Sequence, residues 1–235
     1  VSVTRVAYLS GGKIHVLQEG AEPQVLESKF GQSLRERSVQ IQQRHAWKTQ
    51  GRGAQFMSGG LLWGAGQDDP THMRIAILGL SAGRREGELL YALDSQDISG
   101  IFAVDPARDS EQRLFHSNSY RVQQLAAGRH QQRIACAVGH EVGTANIAVM
   151  RFDGSELKDV TEGDSVDLAP CWIPGQEHRL LFQSAGVGRD ADGAPLGLGP
   201  FSIQRLDLAG GEVQELLFDQ RHDLLGPRAV EDGSL

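Results

Sequence analysis

Three stretches of this chain carry the same order of apolar runs, and that repetition limits the possible folds more than any single residue does. "NIAVMRFDGSELKDVTEGDSVDLAP" from Asn146 and "SIQRLDLAGGEVQELLFDQRHDLLGP" from Ser202 both open on an alternating strand that runs into a turn, Asp153-Gly154 in one and Gly210-Gly211 in the other. A second strand then leads to an Asp and a Pro: Asp167 and Pro170, Asp223 and Pro227. "GIFAVDPARDSEQRLFHSNSYRV" from Gly100 has the same layout with a longer turn. Ile101 and Ile147 lie 46 positions apart, and Ile147 and Ile203 lie 56 apart. A polar, Gly-rich excursion between Gly186 and Pro200 accounts for the extra ten. Short strands rich in Val, Ile, Leu and Phe, cut by Gly, Asp and Pro, are units that bury their faces only against neighbouring units.

The expected architecture is therefore all-β, a β-propeller of four-stranded blades forming one domain over residues 1–235. Units fall at 73–118, 119–163 and 164–219. The first holds strands at Met73 to Leu80, Glu88 to Leu93, Gly100 to Asp105 and Glu111 to Ser117. Arg5 to Ser28 supplies three more strands, and Asp223 to Leu235 supplies one. Pairing Gly226 to Leu235 with Arg5 to Leu9 makes 1–28 plus 223–235 a closing blade and removes two open edges. Residues 29–72 fit the repeat worst, with strand-like pieces at Ser38 to His45, Ala54 to Ser58 and Leu61 to Gly64. Counted as an irregular blade, this segment brings the number to five; the alternative is a fragment of a larger propeller.

"DLAPCWIPGQEHRLLFQS", Asp167 to Ser184, resembles the repeat of the TolB-like (WD-repeat-like) propeller family, Asp-x-x-Pro-x-Trp-Ser-Pro-Asp-Gly followed by an apolar strand. Asp167, Pro170, Trp172, Pro174 and Gly175 fall on matching positions, while Ile173 replaces the usual Ser and the Asp before Gly175 is missing. "LDLAGGEVQEL" from Leu206 is similar to the same family's third-to-fourth strand turn. The resemblance implies a propeller used as a docking surface and names no partner. Physically, Pro removes a ladder donor at the strand entrance and Trp fills the wedge between neighbouring sheets.

The formal net charge of −7 argues against general binding to nucleic acid, which needs an electropositive surface. Apolar runs such as Arg74 to Leu80 are too short to span a bilayer. Without a visible leader the cytoplasm is the expected compartment; a chain that starts at Val1 leaves the periplasm open where a leader has been removed. Cys136 and Cys171, 35 positions apart, form neither a disulfide framework nor a metal-ligand pattern, and the eight histidines lack zinc spacing. No metal or cofactor is expected.

Two segments bear on function. "GLSAG", Gly79 to Gly83, matches Gly-x-Ser-x-Gly, which makes Ser81 the nucleophile of a strand-turn-helix elbow if "RREGELLYALDSQD" is helical. Gly87 and the β-patterning downstream oppose that, and a turn between two strands of a blade explains the residues equally well. "RHAWKTQGRGAQFMSGG" from Arg44 gathers Arg44, His45, Trp47 and Lys48 in the segment that breaks the repeat. Guanidinium and ammonium groups beside an indole suit an acidic ligand. "RDADG", Arg189 to Gly193, lacks the Glu of a calcium loop and reads as a hairpin tip. The expected function is non-enzymatic recognition or scaffolding, binding a protein or a small acidic ligand through loops or a channel mouth. The alternative is a hydrolase using Ser81 or carboxylates around the propeller axis.

Overall fold

Alternation of apolar residues on both faces of a strand demands cover on both sides, and the chain answers by stacking sheet on sheet. The structure is a computed structural model; it describes residues 5–49, 75–95, 98–140 and 142–230, with the backbone alone at 42 and 45–49. The first sheet is an antiparallel meander of β1 (Arg5–Ser10), β2 (Lys13–Gln18) and β3 (Gln24–Leu26), followed by helix α1 (Lys29–Thr49). The second is a four-stranded meander of β4 (Ala76–Ala82), β5 (Leu89–Asp94), β6 (Ser99–Asp105) and β7 (Ser110–Ser117). The third contains β8 (Arg121–Gly128), β9 (Arg133–Gly139), β10 (Ala145–Arg151) and the short β11 (Lys158–Asp159). The fourth contains β12 (Ser165–Trp172), β13 (Arg179–Arg189), β15 (Ser202–Asp207) and β16 (Glu212–Leu217), with β14 (Pro195–Leu198) paired to the far end of β13. A single parallel pair, Ala145 with Val166, joins the third and fourth sheets along their hydrogen-bonded edges.

Three apolar layers hold the stack. Ile14 and Ile77 meet Tyr91, Leu93 and Phe102 between the first and second sheets. Leu90, Ala92 and Ile101 meet Ile134, Cys136 and Met150 between the second and third. Ala135, Ala137 and Ile147 meet Trp172, Leu180 and Phe182 between the third and fourth. Successive residues of β5 and of β9 thus serve opposite layers, as the period of two requires. Burial pushes the Cys136 thiol up to about 12, so it is an inert core group.

One expectation is corrected here. Ser38 to His45 is not a strand but the middle of α1. The hydroxyl of Ser28 accepts the Gly31 N–H at 3.0 Å, an N-cap, and the Glu111 carboxylate of β7 accepts the N–H of Lys29 at 3.0 Å and of Phe30 at 2.9 Å. Lys29 Nζ reaches the Asp109 carboxylate at 2.9 Å, and Phe30 packs on Phe102 with ring centroids 4.9 Å apart. With its first donors satisfied and Gln, Arg and Glu along its length, the segment gains more as helix than as strand. Ala54 to Ser58 and Leu61 to Gly64 lie outside the described residues.

Closure of the ring is not seen among the described residues, and 231–235 lie outside them. Among the described residues no strand forms after β16, and β1 pairs with β2 alone. Residues 223–228 are instead spent on the fourth sheet. Asp223 Oδ1 accepts the Phe201 N–H at 3.0 Å, Leu224 N–H donates to the Phe201 carbonyl at 3.0 Å, and Gly226 N–H donates to the Gln183 side chain at 2.8 Å. Gln183 stands on the face of β13 opposite Leu180 and Phe182, beside buried Leu181 and Ile203. The segment therefore crosses the outer face of that sheet rather than completing the first.

Trp172 is 8% exposed, and its indole N–H donates to the Ala126 carbonyl at 3.1 Å. A Cβ on Gly128 would come within 2.9 Å of that ring, so only Gly lets the indole lie on β8. Trp172→Ala is expected to cost about 3–5 kcal/mol, read from the shift in urea midpoint.

A second expectation follows from the ion pairs that close the hairpins. Hydrogen bonds from Arg189 hold the Asp164 carboxyl below its ordinary value, and hydrogen bonds from Arg179 do the same for Asp207. Because the folded values are depressed, the stability these pairs lend is complete at neutral pH. It declines as the pH falls through the ordinary Asp value of about 3.9 and is lost below the folded values. Urea midpoints should hold level from neutral pH down to about 5 and drop below about 4, and less steeply in Arg189→Ala.

Candidate ligand-binding cleft

The Gly-x-Ser-x-Gly segment is strand, turn and strand. Gly79 to Ala82 belong to β4, and the residues expected to be helical make a tight turn and then β5. Each member of the motif has a packing role. A Cβ on Gly79 would lie 2.7 Å from the Gln123 carbonyl, because β4 runs against β8 at this point. Ser81 Oγ accepts the Ala127 N–H of β8 at 3.0 Å, tying the second sheet to the third. A Cβ on Gly83 would meet the Glu88 side chain at 2.6 Å.

Glu88 is the polar centre of that turn and is 7% exposed. Its carboxylate accepts the N–H of Arg84 at 2.8 Å and of Arg85 at 3.2 Å, and pairs with the Arg85 guanidinium at 3.0 Å. The Gly83 N–H donates to the Glu88 carbonyl at 2.6 Å. Arg129, from just beyond β8, donates to the carbonyls of Gly83 at 2.7 Å and Arg85 at 3.3 Å. This cation is thus anchored on carbonyl oxygens at the end of the inner strand.

The turn forms one wall of a cleft of about 1040 Å³ between the first and second sheets. Its apolar walls include Ala7, Val16, Leu80 and Leu89, and its rim carries Arg5, Glu22, Glu86 and Arg108. Arg108 is bound to Asp105 at 2.8 Å across the β6–β7 turn. Burial works against the ionised Asp105 carboxyl, but the backbone N–H and guanidinium of Arg108 outweigh it and hold the group below its ordinary value. Arg5 donates to Gln18 Oε1 at 3.1 Å. Sequence reasoning singled out Ser81 but missed this cleft, since no local pattern announces a gap between two sheets that are distant in the chain.

The other nominated residues fall elsewhere. Arg44 is exposed on α1, and the side chains of His45, Trp47 and Lys48 lie outside the described residues. Asp190 accepts the N–H of Asp192 at 3.0 Å and of Ala194 at 2.8 Å, which makes "RDADG" a hairpin turn. Among the described residues no three His, Cys, Asp or Glu side chains gather as a metal site, and no helix is long and apolar enough to cross a membrane.

Comparison with known proteins places the architecture. No family model matches the sequence, and no curated protein does. Among solved structures, a putative TolB from Agrobacterium tumefaciens is similar with a TM-score of 0.56 and 15% identity, over 92% of this chain and 61% of that one. A chain of a nidogen/laminin complex is similar with a TM-score of 0.54 and 10% identity, over 90% of this chain and 60% of that one. TolB from Acinetobacter baumannii gives a TM-score of 0.50 and 13% identity, over 88% of this chain and 37% of that one. The chain thus spans less than two thirds of the length of each. Stacked antiparallel meanders, a Trp between sheets and these likenesses together give the chain the fold of a TolB-like β-propeller.

Proposed function

We propose that the chain is a non-enzymatic recognition module that takes a segment of a protein partner in the cleft between its first and second sheets. One observation carries this reading. The polar groups of the wall are already engaged by the fold, with Ser81 on the Ala127 N–H, Glu88 on its own turn and Asp105 on Arg108, beside an apolar gap of about 1040 Å³. A nucleophile needs its hydroxyl hydrogen-bonded to a base; a binding site needs apolar walls with a few fixed polar groups. The nidogen/laminin likeness agrees with such use, that structure being a complex between proteins.

Three measurements test the reading. Ser81→Ala is expected to destabilise the chain by about 1–3 kcal/mol, because the Ala127 N–H loses its acceptor. A fluorophosphonate probe should leave the wild type unmodified; labelling that disappears in Ser81→Ala refutes the proposal. Peptides selected from a random library on the wild-type protein should bind Ala7→Phe about tenfold more weakly or worse, since that ring occupies the cleft. Selected peptides indifferent to Ala7→Phe would place recognition elsewhere.

A further inference from the structure

The cleft has a counterpart elsewhere in the molecule that shows what fits it. Ala82, Ala127 and Trp172 recur at intervals of 45 residues. Each stands at the end of its sheet's first strand, opposite the opening residues of the second: Ala82 pairs with Leu89, Ala127 with Ile134 and Trp172 with Leu180. All three therefore occupy one position of the repeated unit, on the face turned toward the preceding sheet.

What fills the space before each differs. Between the third and fourth sheets the Trp172 indole fills it, close against Gly128 with its N–H on the Ala126 carbonyl. Between the second and third, Ala127 leaves room and Arg129 crosses it to the carbonyls of Gly83 and Arg85. Between the first and second, Ala82 is exposed and lines the open cleft, with Ala7, Val16, Leu80 and Leu89 around it. Among the described residues, a wedge filled by an indole in one place and by a guanidinium in the next is open in the third.

From this we infer that the cleft binds an aromatic side chain of the partner, with a ring inserted beside Ala82 where the repeat elsewhere supplies its own tryptophan. The inference rests on the proposed role of the cleft in recognition. Small and aliphatic walls leave ring faces unobstructed, and Arg5 on the rim can lie over an inserted ring. The carboxylates of Glu22 and Glu86 can accept an indole N–H, as the Ala126 carbonyl does for Trp172. The volume exceeds one ring and accommodates the flanking peptide as well.

The probe is 5-fluoroindole, followed by its fluorine resonance as protein is added. Saturable broadening is expected with the wild type, and binding weaker by about tenfold or more with Ala82→Trp, whose own ring takes the site. The variant's circular dichroism and melting temperature establish that it folds; Ala82→Leu, a smaller filler with the same expected loss, serves if it does not. Absence of saturable binding to the wild type, or equal binding to a folded Ala82 variant, overturns the inference. The selected peptides separate this from the broader reading. Peptides that lose binding in Ala7→Phe yet carry no Trp, Tyr or Phe refute the aromatic ligand while leaving recognition through the cleft intact. Failure to select any peptide, together with indifference to 5-fluoroindole, refutes both.

Discussion

Everything in this molecule depends on the double-sided burial of the second strand in its second and third sheets. Along β5, Tyr91 and Leu93 face one layer while Leu90 and Ala92 face the next, and β9 divides Ile134, Cys136 and Val138 from Ala135 and Ala137 in the same way. Such a strand has no solvent side, so a single sheet of this kind is unstable in water and each depends on its neighbours. Specific hydrogen bonds tie sheet to sheet, among them Ser81 with Ala127, Ser99 with Val122, Gln124 with Ala169, Trp172 with Ala126 and Arg129 with Gly83. They fix how the sheets register, while apolar burial supplies the attraction.

That division of labour explains where variation is tolerated. The apolar layers demand volume, and substitutions within them are felt. The ends of the inner strands, where Ala82, Ala127 and Trp172 stand, set no such demand on the opening between two diverging sheets. An indole, a cation or a vacancy each occurs there. A repeated unit thereby acquires differences between its interfaces without disturbing the ladders.

The strands were legible in the sequence for the same reason that they are stable: a period of two in β-branched and aliphatic residues, bounded by Gly, Asp and Pro turns, is the pattern of a strand buried on its faces. Trp172 was legible as a wedge because the Pro and Gly around it announce a strand entrance and exit. Helix α1 was not, because its start is fixed by Glu111, 82 positions away, accepting the first amides of the helix. Nor was the route of residues 223–228, since "DLLGP" looks like the opening of another strand and only the Gln183 and Phe201 contacts send it across a sheet face. Of the two readings open for the segment around Ser81, the structure has the turn between two blade strands: its flanking glycines serve close backbone approach, which leaves the same trace in a sequence as a strained elbow. The cleft lay beyond sequence reasoning, as it exists only between β1–β3 and β4–β7.

The segment that crosses the fourth sheet carries a mechanical consequence. It is held by the Gln183–Gly226, Phe201–Leu224 and Phe201–Asp223 hydrogen bonds and by the burial of Pro227, without a ladder of its own. Tension applied along residues 223–230 meets these bonds one after another, as a zip, whereas the strands of the sheet beneath resist together, in shear. The segment gives way at low force and lengthens before any sheet is loaded, protecting the stack as a fuse protects a circuit.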